Sequence, residues 1–320
     1  MSGLQAHVPP TSPSAGWVAA KPFDLGDNLA YGAWRATKLE NYPKSVDALR
    51  VPIKCLATPT AEEKSALLAR CRLTNMAVYA LPAPQVNPGV ARPGDREMRA
   101  DLRQFASAFG LGHMETHRSA EDDGIVAIEV TGAQSKRGFI PYTNKPLSWH
   151  TDGYYNPPEA PIRAMLLHCV RPAREGGVNA LLDPEIIYIR LRDKDPALVA
   201  AMMHPEAMTI PESVEEDGGV RPVSIGPVIL IDETGRLTMR YTARTRNIHW
   251  RDDADTRAAV ALINRLLTHE EEELIIKYKM AAGEGLLCNN VLHTRSAFED
   301  DDQATRLLYR VRYRERIAQT

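Results

Sequence analysis

The strongest constraint on the fold is a series of short apolar runs in the second half of the chain. Residues 125–130 and 164–170 read as strands. So do 227–231 and 237–241, which flank Asp232-Glu-Thr-Gly235 as a hairpin, and the segments 286–288 and 307–311. These runs do not alternate regularly with helices, which argues against a doubly wound parallel sheet. The predicted fold is mostly β with peripheral helices: a double-stranded β-helix, or jelly roll, carrying a helical insert. The insert is placed at 184–203, because Asp183-Pro184 and Asp195-Pro196 each pair an N-cap with proline at the first helical position. Upstream, Thr60-Ala61-Glu62-Glu63 is a capping box that starts a helix through Leu67, Leu68 and Cys71. A strand is predicted at 76–81. A helix at 95–108 turns Leu102, Phe105 and Ala106 inward and stops at Gly110, and another helix is predicted at 255–267.

Three segments follow from composition. Residues 1–16, rich in Pro, Ser and Ala, are expected to form a disordered arm. Residues 17–50, with Trp17, Phe23, Tyr31, Trp34 and Tyr42, are expected to form an extension packed on the core. Residues 51–320 make the main domain. The chain is 44% hydrophobic and 25% charged, which suits a globular protein with a large core. Its 39 basic and 41 acidic side chains give a formal charge of -2, so it lacks the basic excess of a nucleic-acid binder. No apolar run approaches the roughly 20 residues that span a bilayer. Met1 to Gly16 lacks the basic-then-apolar pattern of a secretory signal. The cysteines, Cys55, Cys71, Cys169 and Cys288, form no CxxC pair, which argues against structural zinc and fits a reducing cytoplasm. The expected partner is a small-molecule substrate, with no nucleic acid and no membrane; a homo-oligomer is left open.

His150-Thr151-Asp152 places a His and an Asp on one face of an extended segment. Alone, the triplet is read more simply as a surface His beside an Asp. His293, at the polar end of the strand-like run from Gly283, changes that weight. Two imidazoles and a carboxylate on one face of an octahedral ion, with the other positions open, mark non-haem Fe(II) oxygenases. Arg306, thirteen residues after His293, offers a permanently charged fork for a carboxylate. Taken singly, His293 also fits a core histidine, and Arg306 an exposed charge.

Trp149-His-Thr-Asp152, Leu166-Leu-His-Cys169, Gly176-Gly177, Leu292-His293-Thr-Arg295 and Arg306-Leu-Leu-Tyr-Arg310 occur in this order. In this set the chain resembles the TauD/TfdA family of Fe(II)/2-oxoglutarate-dependent dioxygenases, from about residue 100 to the end. Leu166 to Cys169, the insert and the thirteen-residue His–Arg spacing are most similar to the γ-butyrobetaine hydroxylase branch, although the cysteine-rich zinc module of the animal enzymes is missing. The resemblance implies that His150, Asp152 and His293 ligate Fe(II), with O2 and 2-oxoglutarate as co-substrates. It implies that Arg306 pairs with the distal carboxylate of 2-oxoglutarate. Asn179 stands where some relatives have a threonine that also binds this carboxylate. Arg310 matches a second family arginine, which meets either co-substrate or substrate. The carboxylate at 152 favours hydroxylation over halogenation, because halogenases leave that position to halide.

The expected reaction is hydroxylation of an unactivated C–H bond in an amino acid, carboxylate, sulfonate or betaine, with release of succinate and CO2. Desaturation, epimerisation and ring formation on the same scaffold remain open, as does a non-catalytic metal-binding or ligand-sensing barrel. Tyr142, Tyr154 and Tyr155, with Trp149, are candidates for a substrate wall or a cage for a quaternary ammonium. Arg163 and Arg310 suit an acidic substrate instead. The preference falls on the acidic one, because Arg310 shares a strand face with Arg306. His113 and His117 are further candidates for substrate contact.

Overall fold

The computed structural model describes residues 22–82, 95–115, 123–130, 140–214, 219–269, 272–300 and 305–320. The arm expected at 1–16, the start of the extension at Trp17 and the candidate His117 lie outside the described residues.

Two antiparallel sheets build the core. The larger has six strands in the order Arg50–Pro52, Met76–Ala80, Glu284–Cys288, Ala164–Arg171, Leu307–Tyr313 and Val126–Ile128; only its first pair is parallel. The smaller has four, in the order Ile276–Tyr278, Asn179–Leu182, Leu292–Arg295 and Leu147–His150. This is the jelly roll that the strand pattern predicts.

The apolar run Ala164–Arg171 is nearly continuous because both its faces are covered. Met165, Leu167 and Cys169 join one buried cluster with Leu286 and Cys288, and with Leu181 and Leu292 of the smaller sheet. Ala164 and Leu166 join a second cluster with Tyr79, Tyr309 and Val311. That outer face is covered by the helices Ala61–Thr74, through Leu67 and Cys71, and Asp95–Ala108, through Leu102, Phe105 and Ala106.

The capping box forms as predicted. Thr60 Oγ1 accepts from Glu63 N–H, and the Glu63 carboxylate accepts from Thr60 N–H. The insert is the helix pair Pro184–Lys194 and Pro196–Met203, each N-capped by the expected aspartate. The helix predicted at 255–267 is Ala254–Thr268. A helix that the aromatic pattern did not reveal, Asn28–Glu40, packs Tyr31 and Trp34 on Tyr188 of the insert, with Phe23 beside them. Its Lys38 is buried against the Asp183 and Glu185 carboxylates. None of the described helices is long and apolar enough to cross a membrane.

Candidate active site

His150 ends the strand Leu147–His150, and its register partner on Leu292–Arg295 is His293. The pairing brings the two rings together, with centroids 4.2 Å apart and planes tilted by 50°. Each ring is fixed the same way. His150 Nδ1 lies 2.8 Å from the Ser148 carbonyl, and His293 Nδ1 lies 2.9 Å from that of Val291. A carbonyl can only accept, so each Nδ1 carries the proton and each Nε2 keeps its lone pair. Burial lowers both imidazole pKa values, that of His150 to about 3, where the neighbouring His293 adds to the effect. Both rings are therefore neutral donors at physiological pH.

Thr151 faces the other way. Its Oγ1 accepts from Tyr241 N–H at 3.1 Å, and its own N–H donates to the Tyr241 carbonyl at 3.0 Å. Asp152 then returns to the histidine side, with Oδ1 4.0 Å from His150 Nε2. Its backbone is clamped by buried Asn290, whose amide accepts from Asp152 N–H at 2.8 Å and donates to the Asp152 carbonyl at 3.0 Å. The next residue must be glycine. Gly153 has φ +66°, and a Cβ there would lie 2.5 Å from Ile162 Cγ1. Burial alone would raise the Asp152 pKa, but the Arg310 and Arg312 guanidiniums outweigh it and hold the carboxyl well below the usual carboxylate range. Arg310 Nη1 donates to Asp152 Oδ1 at 3.1 Å, whereas Oδ2 is buried and accepts no hydrogen bond.

One ligand atom from each of His150, Asp152 and His293 lies within 4.8 Å of the others. Two neutral ring nitrogens and an unpartnered carboxylate oxygen form a donor set suited to a divalent transition metal. The residues present therefore fit Fe(II).

The strand Leu307–Tyr313 carries the flanking arginines. Its two-residue period turns Tyr309, Val311 and Tyr313 to the outer core and Leu308, Arg310 and Arg312 inward. Arg306, just before it, shares the inward parity. Arg306 is 5% exposed, stacks 5.0 Å from the Phe298 ring centroid, and lines a small cavity with Asn179, Gly177, Leu308 and Met280. Burial lowers its pKa to about 10, and no described carboxylate pairs with its guanidinium. The Gly-Gly turn beside it is obligatory, because a Cβ on Gly176 would lie 2.2 Å from the Ala297 carbonyl oxygen. Arg295 is used differently. It stacks on Phe298 and donates to the carbonyls of Thr143 and Lys145.

A cavity of about 260 Å³ opens over His150 and Asp152. Tyr142, Tyr154 and Tyr155 line it, as the sequence suggested, together with Arg310. Trp149 does not; strand alternation buries it in the core. Arg163 is also absent from the lining, and its charge acts on Asp232 instead. His113 is exposed and paired with Glu315. Sequence reading missed Arg312, which bridges Glu115 and the Tyr155 hydroxyl, although its spacing from Arg306 and Arg310 signals the same face. It also missed Asn290 and the cavity arginines Arg221, Arg244 and Arg246. The only local signal for the last two is an Arg-Thr-Arg alternation.

The chain is similar to several known proteins. Two curated relatives are uridine-5′-phosphate dioxygenases. One, from Streptomyces sp., is 28% identical over 221 residues, 66% of this chain and 77% of the relative. The other, from Amycolatopsis sp., is 28% identical over 171 residues, 52% of this chain and 60% of the relative. They lend no support to the γ-butyrobetaine hydroxylase branch. In fold, the chain is similar to an asparagine oxygenase solved with Fe(II), 3-hydroxyasparagine and succinate, with TM-score 0.55 and 17% identity over 83% of this chain and 93% of that one. It is also similar to the non-haem iron oxygenase OrfP, solved with Fe, succinate and a dihydroxy-arginine, with TM-score 0.58 and 17% identity over 81% and 82%. The family model for taurine catabolism dioxygenase TauD, TfdA family, matches residues 96–312. The chain belongs to the TauD/TfdA family and is a non-haem iron dioxygenase, an enzyme that works with Fe(II), 2-oxoglutarate and O2.

Proposed function

We propose that this dioxygenase hydroxylates an unactivated C–H bond of a small, acidic, polar metabolite, with Fe(II) held by His150, Asp152 and His293. The observation that carries this reading is the unpartnered Asp152 Oδ2 beside two imidazoles whose protons are committed to backbone carbonyls. Bound Fe(II), with 2-oxoglutarate and O2, supplies the oxidising power, and succinate and CO2 are the co-products.

The protein's own residues bind and orient. Arg306 and Asn179 receive the distal carboxylate of 2-oxoglutarate, since a buried guanidinium without a carboxylate partner is a ready anion site. Arg310 holds Oδ1 of Asp152, keeps the carboxylate ionised and leaves Oδ2 to the metal. This hydrogen bond favours a positioning role for Arg310 over direct substrate binding. Tyr142, Tyr154 and Ile248 give the cavity apolar walls that limit water near the reacting carbon.

The acidic character of the substrate follows from charge. Five arginines and a single carboxylate, Asp152, line the cavity, although acidic and basic side chains are nearly balanced in the whole chain. A quaternary ammonium among Tyr142, Tyr154 and Tyr155 would meet those five cations. The names of the curated relatives make uridine 5′-monophosphate a first compound to test.

The test is succinate formation with Fe(II), ascorbate and a panel of carboxylates, sulfonates, phosphate esters and betaines. Products are read by mass spectrometry. A gain of one oxygen indicates hydroxylation, whereas loss of two hydrogens indicates desaturation. His150→Ala and His293→Ala are expected to abolish turnover. Full activity of either variant without added metal would overturn the triad, and stimulation by betaines alone would overturn the acidic substrate.

A further inference from the structure

Three of the five cavity arginines play no part in holding the metal site. Arg310 is occupied by Asp152, and Arg312 by Glu115 and Tyr155. Arg221, Arg244 and Arg246 form no ion pair with a carboxylate among the described residues. Arg221 lies 5.8 Å from the Tyr155 ring centroid, and its Nη1 is buried without a hydrogen-bond partner. We propose that Arg221, Arg244 and Arg246 form a subsite for the dianionic phosphate of a phosphate monoester substrate. This rests on reading the cavity as the substrate site.

Two separate segments bring these cations to one cavity. Arg221 ends the short strand Val220–Arg221, which pairs with Ser213–Val214. Arg244 and Arg246 follow Thr242, which bridges to His150; the Ala243 N–H donates to the Trp149 carbonyl at 2.8 Å. The arginine loop therefore hangs from the same strand that carries the first histidine. An anion bound there has a fixed relation to the metal-facing groups, and that relation selects which carbon is presented for oxidation.

The number of cations identifies the ligand chemistry. One guanidinium fork matches one carboxylate, as at the Arg306 cavity. A phosphate monoester carries about -1.5 to -2 charges at pH 7 and three acceptor oxygens, enough for several arginines at once. Three cations lining one cavity repel one another, and a dianion relieves that repulsion whereas a neutral ligand does not. The cluster also raises the local concentration of such an anion by steering.

The experiment is calorimetric titration of the full-length, Fe(II)-loaded protein with 2-oxoglutarate present and oxygen excluded. The ligands are uridine 5′-monophosphate, ribose 5-phosphate and O-phosphoserine. Each is compared with its phosphate-free parent and with the corresponding sulfate ester, a monoanion of similar shape. At least one phosphate ester is expected to bind at least about tenfold tighter than both counterparts. Arg221→Gln, Arg244→Gln and Arg246→Gln should each weaken that ligand by roughly ten- to a hundredfold, the loss of a hydrogen bond between charged groups. The subsite is overturned if no phosphate ester outbinds its parent, if the sulfate esters bind as tightly, or if the Gln variants bind like the wild type. Titration of 2-oxoglutarate into every sample confirms that the variants are folded. It also separates the two readings: failure of the wild type to bind Fe(II) or 2-oxoglutarate removes the proposed function, whereas intact binding without phosphate recognition removes the subsite alone.

Discussion

Arg306 is the residue at which stability and function should oppose each other. Its guanidinium is buried, lies on Phe298 and has no carboxylate partner among the described residues. Burial lowers its pKa from 12.5 to about 10, which corresponds to roughly 3 kcal/mol of unfavourable desolvation at any pH where the group is charged. An apolar side chain of similar length removes that cost. Arg306→Met is therefore expected to raise the melting temperature of the ligand-free protein by a few degrees and to eliminate the stabilisation by 2-oxoglutarate. Arg306→Lys keeps a charge but loses the fork, and should raise the apparent KM for 2-oxoglutarate roughly ten- to a hundredfold. The assays are thermal unfolding with and without 2-oxoglutarate, and succinate release as a function of 2-oxoglutarate concentration. The reasoning is refuted if Arg306→Met lowers the melting temperature and keeps the 2-oxoglutarate shift. It also fails if Arg306→Lys leaves KM unchanged while Arg310→Lys raises it, because the two arginines would then have exchanged roles.

Other perturbations test the surroundings of the site. Asn290 has φ +50°, clamps both backbone groups of Asp152 and also donates to the Ile162 carbonyl at 2.8 Å, so Asn290→Gly keeps the left-handed turn and deletes the clamp together with that bond. Iron affinity should fall about 10–100-fold by titration, as for other groups that orient a metal ligand, and unchanged affinity would show that Asp152 needs no such support. His168 is a buried residue of the larger sheet, where its Nδ1 is hydrogen-bonded to the Tyr79 hydroxyl at 3.0 Å, and burial lowers its pKa from 6.5 to about 4. A histidine held neutral by folding binds fewer protons than the unfolded chain, so its stability contribution is complete above about pH 6.5 and declines as the pH falls towards 4. The loss approaches roughly 3 kcal/mol, and His168→Gln should flatten denaturant midpoints across that window. Lys38→Met leaves the buried Asp183 and Glu185 without their cation and should cost about 3–5 kcal/mol, read by chemical denaturation. A midpoint within experimental error of the wild type would show that the extension helix is not anchored by this charge.

Local chemistry carried much of this protein into view from the sequence. The strands, the capped insert and the helices at Ala61–Thr74 and Asp95–Ala108 follow from period, N-caps and proline, all written within a few residues. The ligand candidates were legible for the same reason. The two-residue period of an extended chain puts His150 and Asp152 on one face, and it puts Arg306, Leu308, Arg310 and Arg312 on another. The helix Asn28–Glu40 was not legible, because its aromatic face is defined by Tyr188, more than a hundred residues away. Only the tertiary structure brought His293 opposite His150, since that register depends on pairing strands distant in sequence. Only it separated Arg306, in its cavity with Asn179, from Arg310, committed to Asp152, and moved Arg163 away from the cavity. The convergence of Arg221 with Arg244 and Arg246 was likewise invisible along the chain, because charge clustering is a property of distances in space and sequence spacing within loops does not encode them.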